Sequence, residues 1–158
     1  ALTFADQVVV MNNGEVVQTG TPIELFEKPH HTFVGHFIGS PGMNLLPVEI
    51  KGGKARIAGH VVEAANARAA KSGRLELGIR PEFVSFSKTG MPVDIVKVAD
   101  IGRVRVVETR LAGGELVKLV VPEGEPVPEG KAKLSFDSAH TFIYSDSWLA
   151  GEARGAGA

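Results

Sequence analysis

Lys131-Ala132-Lys133-Leu134-Ser135-Phe136 alternates polar and apolar side chains at a period of two, which puts Ala132, Leu134 and Phe136 on one face of an extended strand and the lysines on the other. The same period recurs upstream and downstream. It predicts strands at Leu45 to Ile50, Lys54 to Ala58, His60 to Ala64, Arg74 to Ile79, Val93 to Val98, Arg103 to Leu111, Glu115 to Val121 and Thr141 to Tyr144. Short strands at close spacing, joined by turns such as Ala112-Gly113-Gly114 and Pro122-Glu123-Gly124, predict a mainly β fold closed into a small barrel.

The period of two begins after Gly39-Ser40-Pro41-Gly42; before it the pattern differs. Val8-Val9-Val10-Met11 and Glu15-Val16-Val17-Gln18 flank Asn13-Gly14, a pair suited to the positive φ angles of a tight hairpin. Thr21-Pro22-Ile23-Glu24 places a capping hydroxyl, a first-turn proline and a glutamate three residues after the cap, so a helix should run to about Lys28, before Pro29. Phe33 with Phe37 and Val34 with Ile38 are spaced for one face of a second helix ending at Gly39, and the phenylalanine stripe reads most simply as core. The division expected is 1–39 as a β-β-α-α unit, 40–149 as the barrel and 150–158 as a flexible tail.

With 17 Lys plus Arg against 18 Asp plus Glu, the chain has no net positive field to hold a polyanion, so nucleic acid is not an expected partner. No apolar run approaches the ~20 residues of a spanning helix, so no direct membrane insertion is expected. Cysteine is absent, which removes disulfides and thiolate chemistry and fits a cytoplasmic setting. The first residue is not Met, and the chain is expected to begin inside a longer polypeptide. The five histidines, 30, 31, 36, 60 and 140, fall at no recognised ligand spacing, so no metal site is predicted. Asp137, Ser138 and His140 could form an acid-base set, but three common residues beside one loop read more simply as turn chemistry.

Residues 19–46 carry Gly20, Thr21, Pro22, Glu24, Leu25, Phe26, Pro29, Phe33, Val34, Phe37, Ile38, Gly39, Ser40, Pro41, Met43 and Asn44 at fixed spacing. This stretch resembles the ATP-binding subunits of ABC importers of the carbohydrate-uptake, maltose-transporter class. Leu77-Gly78-Ile79-Arg80-Pro81-Glu82 resembles a second motif of that family, and Ala5-Asp6-Gln7-Val8-Val9-Val10-Met11 resembles the strand after the family's switch histidine. The resemblance implies a C-terminal remnant of the nucleotide-binding domain at 1–39, then an OB-like barrel of the TOBE or MOP-like type serving dimerisation and regulation. It further implies homodimerisation, transmembrane permease subunits and regulatory proteins as partners, and a place on the inner face of the cell membrane.

ATP and Mg²⁺ belong to the parent subunit on this reading. A phosphate loop needs a Gly-rich turn feeding Gly-Lys-Ser/Thr, whereas Gly53-Lys54 and Gly130-Lys131 are each followed by alanine. No catalytic, cofactor or metal residue is therefore assigned within the chain.

The candidate interdomain or regulatory residues are Gly39, Ser40, Pro41, Met43, Asn44, Gly78, Arg80, Pro81 and Glu82. A guanidinium and a carboxylate flanking a φ-locked proline make a directional pair of contacts; the plainer alternative is a strand-ending turn with both charges in solvent. Gly39 to Asn44 reads either as a transmitter between domains or as a helix stop and rigid linker. Two other functions stay open: a stand-alone barrel binding an oxyanion or small ligand, for which no Ser/Thr/Lys amide nest is evident, and a pure protein-interaction module.

Overall fold

The computed structural model describes residues 6–70 and 72–152. Val8–Asn12 (β1) and Glu15–Gly20 (β2) form the antiparallel hairpin, with Asn13 and Gly14 at φ 52° and 78° as the turn requires. Pro22–Glu27 (α1) begins with a full capping box: Thr21 accepts from the Glu24 N–H, and the Glu24 carboxylate accepts from the Thr21 N–H. Thr32–Phe37 (α2) follows, capped by His31, whose Nδ1 accepts from the Phe33 N–H at 2.9 Å. Leu25, Val34, Ile38, Val10 and Val17 make the core of this unit.

The helical stripe that points inward is thus Val34 with Ile38. Phe33 is only half-buried and Phe37 is 68% exposed, the two rings stacking on each other at 5.5 Å. The expectation that Phe33 and Phe37 form core is corrected here: the side chains turned toward α1 lie about a quarter turn away, at positions 34 and 38.

The remaining strands are Asn44–Pro47 (β3), Glu49–Lys51 (β4), Lys54–Ile57 (β5), His60–Val62 (β6), Leu75–Ile79 (β7), Val84–Asp100 (β8), Val104–Leu111 (β9), Leu116–Pro122 (β10), Lys131–Phe136 (β11), Phe142–Ser145 (β12) and Trp148–Leu149 (β13). They form antiparallel sheets ordered β10-β9-β8-β11, β13-β12-β7-β3 and β4-β5-β6. One apolar cluster joins all three, including Leu46, Ile57, Leu77, Ile79, Val93, Val107, Leu119, Leu134 and Ile143. The curled half-barrel that results meets the expectation of a mainly β, OB-like fold.

Three strand assignments differ from the sequence pattern. The single strand predicted from Leu45 to Ile50 breaks at Val48 into β3 and β4, which join different sheets. The strand predicted from Val93 starts at Val84, because its first half carries Ser85, Ser87, Lys88 and Thr89 and hides the alternation. It passes β11 so closely at Gly90 (φ 139°) that an added Cβ would collide with the Leu134 carbonyl, which only glycine avoids. β13 was not predicted.

Nor does a tail begin at 150. Ala150 is buried, its N–H donates to the Ile143 carbonyl, and Glu152 pairs with Lys28 at 2.6 Å; residues 153–158 of the expected tail lie outside the described residues. Around Ser138 the turn reading holds: Asp137 accepts from the Ala139 N–H at the start of a single 3-10 turn and pairs with His140 Nδ1 at 2.9 Å.

Candidate functional site

The β13-β12-β7-β3 sheet has two working faces. Leu77, Ile79, Ile143 and Leu46 point into the barrel core. By the strand's period, Gly78 turns the other way, as does Phe142 across from it, and on that face Met43, Phe142, Tyr144 and Leu149 form a separate cluster. The helical unit packs on this second face.

Arg80 extends that face by one more residue. Pro81 follows it, and the residue before a proline is held extended; Arg80 sits at φ −73°, ψ 147°, so its side chain leaves the sheet on the same side as Gly78. It is 2% exposed. Its Nε donates to the Phe26 carbonyl at 2.6 Å, and Nη1 donates to the Ile38 and Gly35 carbonyls at 2.5 and 3.2 Å. These acceptors lie in the last turns of α1 and α2, where carbonyls lack intrahelical donors. The guanidinium carbon lies 4.2 Å from the centre of the Phe26 ring, a cation–π contact that takes the place of a carboxylate partner. Burial pushes the Arg80 guanidinium below its ordinary value, partly offset by Glu82, yet a guanidinium stays charged throughout the physiological range.

Arg80 therefore does not lie in solvent, which removes the plainer alternative for it. Glu82 does lie exposed, and Pro81 is buried at the start of a 3-10 turn, so the two charges flanking the proline face different surroundings rather than one partner.

The linker residues gather around the same arginine. Gly39 has φ 110°, and a Cβ there would come within 2.6 Å of Arg80 Nη1. The Met43 N–H donates to the Gly35 carbonyl at 3.0 Å, and the Met43 thioether fills the space left by Gly35 and Gly78. Asn44 acts elsewhere: its side-chain amide exchanges two hydrogen bonds, at 2.8 and 2.9 Å, with the Lys118 backbone and closes β3 onto the free edge of β10. Ser40 and Pro41 supply the bend between α2 and β3, Ser40 exposed and Pro41 partly buried.

Several residues of this seam were not singled out in the sequence. The Tyr144 hydroxyl, buried, donates to the Pro29 carbonyl at 2.7 Å, and burial pushes its pKa well above the ordinary phenol range. Trp148 meets the His31 ring edge-on at 4.7 Å, the Thr32 N–H donates to the Ser147 carbonyl and the Leu149 N–H to the His30 carbonyl. Gln18 bonds both the Lys28 carbonyl and the His30 N–H. Tyr144 and Trp148 are the chain's only tyrosine and tryptophan, and a phenol inside the apolar run Phe142-Ile143-Tyr144 must find a buried acceptor; that was the available signal.

Among the described residues no group of His, Asp or Glu is placed to hold a metal, and no helix is long and apolar enough to cross a membrane.

Comparison with known proteins places these features in a family context. Residues 39–84 match the MalK OB fold domain and residues 77–143 the TOBE domain; the two overlap at 77–84, the stretch containing Gly78, Arg80, Pro81 and Glu82. An sn-glycerol-3-phosphate import ATP-binding protein of Vibrio cholerae is 40% identical over 119 residues, covering 73% of this chain and 32% of that protein. Its counterpart in Rhodopseudomonas palustris is 39% identical over 138 residues, 82% of this chain and 35% of that protein. In Jannaschia the figures are 36% over 146 residues, 91% and 41%. The chain thus spans about a third to two fifths of the length of these curated relatives.

Proposed function

Because the chain belongs to the C-terminal, OB-fold and TOBE part of the ATP-binding subunits of carbohydrate-uptake ABC importers, we propose that it is the regulatory segment of such a subunit, serving dimerisation and control of transport. The observation that supports this reading is Arg80: a charge carried on a barrel strand is buried against the ends of both helices of the N-terminal unit. Displacement of those helices is thereby felt by the barrel, and the reverse. A buried cation whose acceptors all come from the other unit costs several kcal/mol to strand alone, so the seam moves as one body.

In the parent subunit, paired copies hydrolyse ATP with Mg²⁺ upstream of this segment and work with transmembrane permease subunits on the cytoplasmic face of the membrane. Regulatory proteins dock on the barrel. The solute is a sugar, a polyol or a glycerol phosphate, the last favoured by the names of the relatives. The chain alone neither binds nor hydrolyses ATP, since neither of its Gly-Lys pairs is followed by Ser or Thr.

Sedimentation velocity and equilibrium titration with a fluorescent ATP analogue test this together. A dimer without nucleotide affinity is the expected result. A monomer at high concentration sinks the dimerisation role, and saturable binding in the micromolar range sinks the division of labour between this segment and the ATPase proper.

A further inference from the structure

β11 lies at the end of its sheet and pairs only with β8, so among the described residues no strand covers its other edge. Alternate residues of an antiparallel strand turn their N–H and C=O away from the partner, and such an uncovered row is a template for another chain.

The two faces of this edge differ. On the outer face Lys131 and Lys133, both exposed, stand two residues apart. With Arg110 they line an open groove of about 570 Å³ in which Asp94 is the only carboxylate. Asp94 lies directly across from both Lys131 and Arg110 in the strand register. The ion pairs within 4 Å among the described residues all lie elsewhere, so Asp94 makes no ion-pair contact with either neighbour, and Lys133 has no carboxylate across from it in the register. On the inner face a second groove, of about 410 Å³, opens between the end of β11 and β6, itself an edge strand; Val62, Met91, Leu134 and Phe136 supply its apolar floor.

From this arrangement we infer that β11 is a docking edge for an extended peptide segment of a protein partner, one that alternates acidic and apolar residues. An added strand repeats at the pitch of β11. Acidic side chains at its positions i and i+2 then stand opposite Lys131 and Lys133 at about 5 Å between Cβ atoms. The intervening apolar side chains face inward, toward the trough beside β6. Lysines on an open edge also repel basic strands and lose hydration without return against neutral ones, so the same residues that protect the edge from self-association select the acidic partner. Backbone pairing supplies the affinity and the lysines supply the choice. The site lies apart from the Arg80 seam and does not depend on the transport reading.

Fluorescence anisotropy of the full chain tests this with the labelled peptide Gly-Glu-Val-Glu-Val-Glu-Gly, its lysine counterpart Gly-Lys-Val-Lys-Val-Lys-Gly, and the acidic peptide N-methylated at alternate amides. The acidic peptide is expected to bind, the lysine peptide and the N-methylated peptide to bind at least about tenfold more weakly. The double variant Lys131→Glu/Lys133→Glu is expected to reverse the preference, favouring the lysine peptide, with an unchanged circular dichroism spectrum. Equal binding of the N-methylated peptide would overturn strand pairing in favour of simple charge attraction. Failure of the acidic peptide to bind, or a double variant that keeps its original preference, would overturn the proposal outright.

Discussion

The Tyr144 hydroxyl on β12 and the Pro29 carbonyl between the two helices are 115 residues apart in the chain and 2.7 Å apart in the fold. Removing the hydroxyl by Tyr144→Phe leaves that carbonyl buried without this donor while the ring still fills its place. The variant should lose about 1–2 kcal/mol in urea unfolding. An unchanged midpoint would show that the bond contributes nothing net.

Arg80→Met should have a larger and more local effect. The Gly35 carbonyl keeps the Met43 N–H, whereas the Phe26 and Ile38 carbonyls lose their bonds to the guanidinium. A loss on the order of 2–4 kcal/mol is expected. Hydrogen exchange should accelerate at the amides of residues 22–38 before those of β8 to β10. Uniform acceleration across both regions would mean that the seam is not a separable joint.

Gly78→Ala should destabilise through packing alone. A Cβ there would lie 2.7 Å from the Tyr144 ring and 2.8 Å from the Met43 methyl, and although the methionine can move, the ring is fixed by its hydroxyl. About 1–3 kcal/mol is the expected cost of such overpacking. Thermal unfolding checks it, and Gly78→Ala combined with Met43→Ala should recover only part of the loss, since the ring contact remains.

Mild acid should loosen the seam. His30 and His31 are both held below the ordinary histidine value of 6.5 by burial; at His30 Glu152 and Glu24 oppose this and Lys28 adds to it. The folded form then binds fewer protons than the unfolded chain just below that value. Stability is complete above it and falls as the pH drops through the depressed values. At His31 protonation also abolishes the acceptor that caps α2. Unfolding measured between about pH 7 and pH 5 should show this loss, and His31→Asn, which keeps a capping oxygen without titrating, should reduce it to the part that His30 contributes. A pH-independent midpoint in the wild type would refute the assignment. Asp137 and Glu152, whose carboxyls are lowered by their hydrogen bonds to His140 and Lys28, act in a separate, more acidic window.

The elements written in local periodicity were legible in the residues themselves. Thr21, Pro22 and Glu24 specify a helix start within four positions, Asn13-Gly14 specifies a hairpin, and Lys131 to Phe136 specifies a strand with its inner face. Each of these rests on interactions between near neighbours in the chain, which residue type and spacing largely fix. The family motifs likewise drew attention to Arg80 and Gly39 without showing what either touches.

What the tertiary structure alone decided is where long-range partners meet. Arg80 finds its acceptors 42, 45 and 54 residues away, and Asn44 closes the barrel on Lys118 across 74. Val34 rather than Phe33 faces inward because of where α1 and the hairpin lie. A buried guanidinium and a solvated one have the same sequence signature; the difference comes from which backbone carbonyls a distant segment leaves without donors, and the packing of the two units sets that.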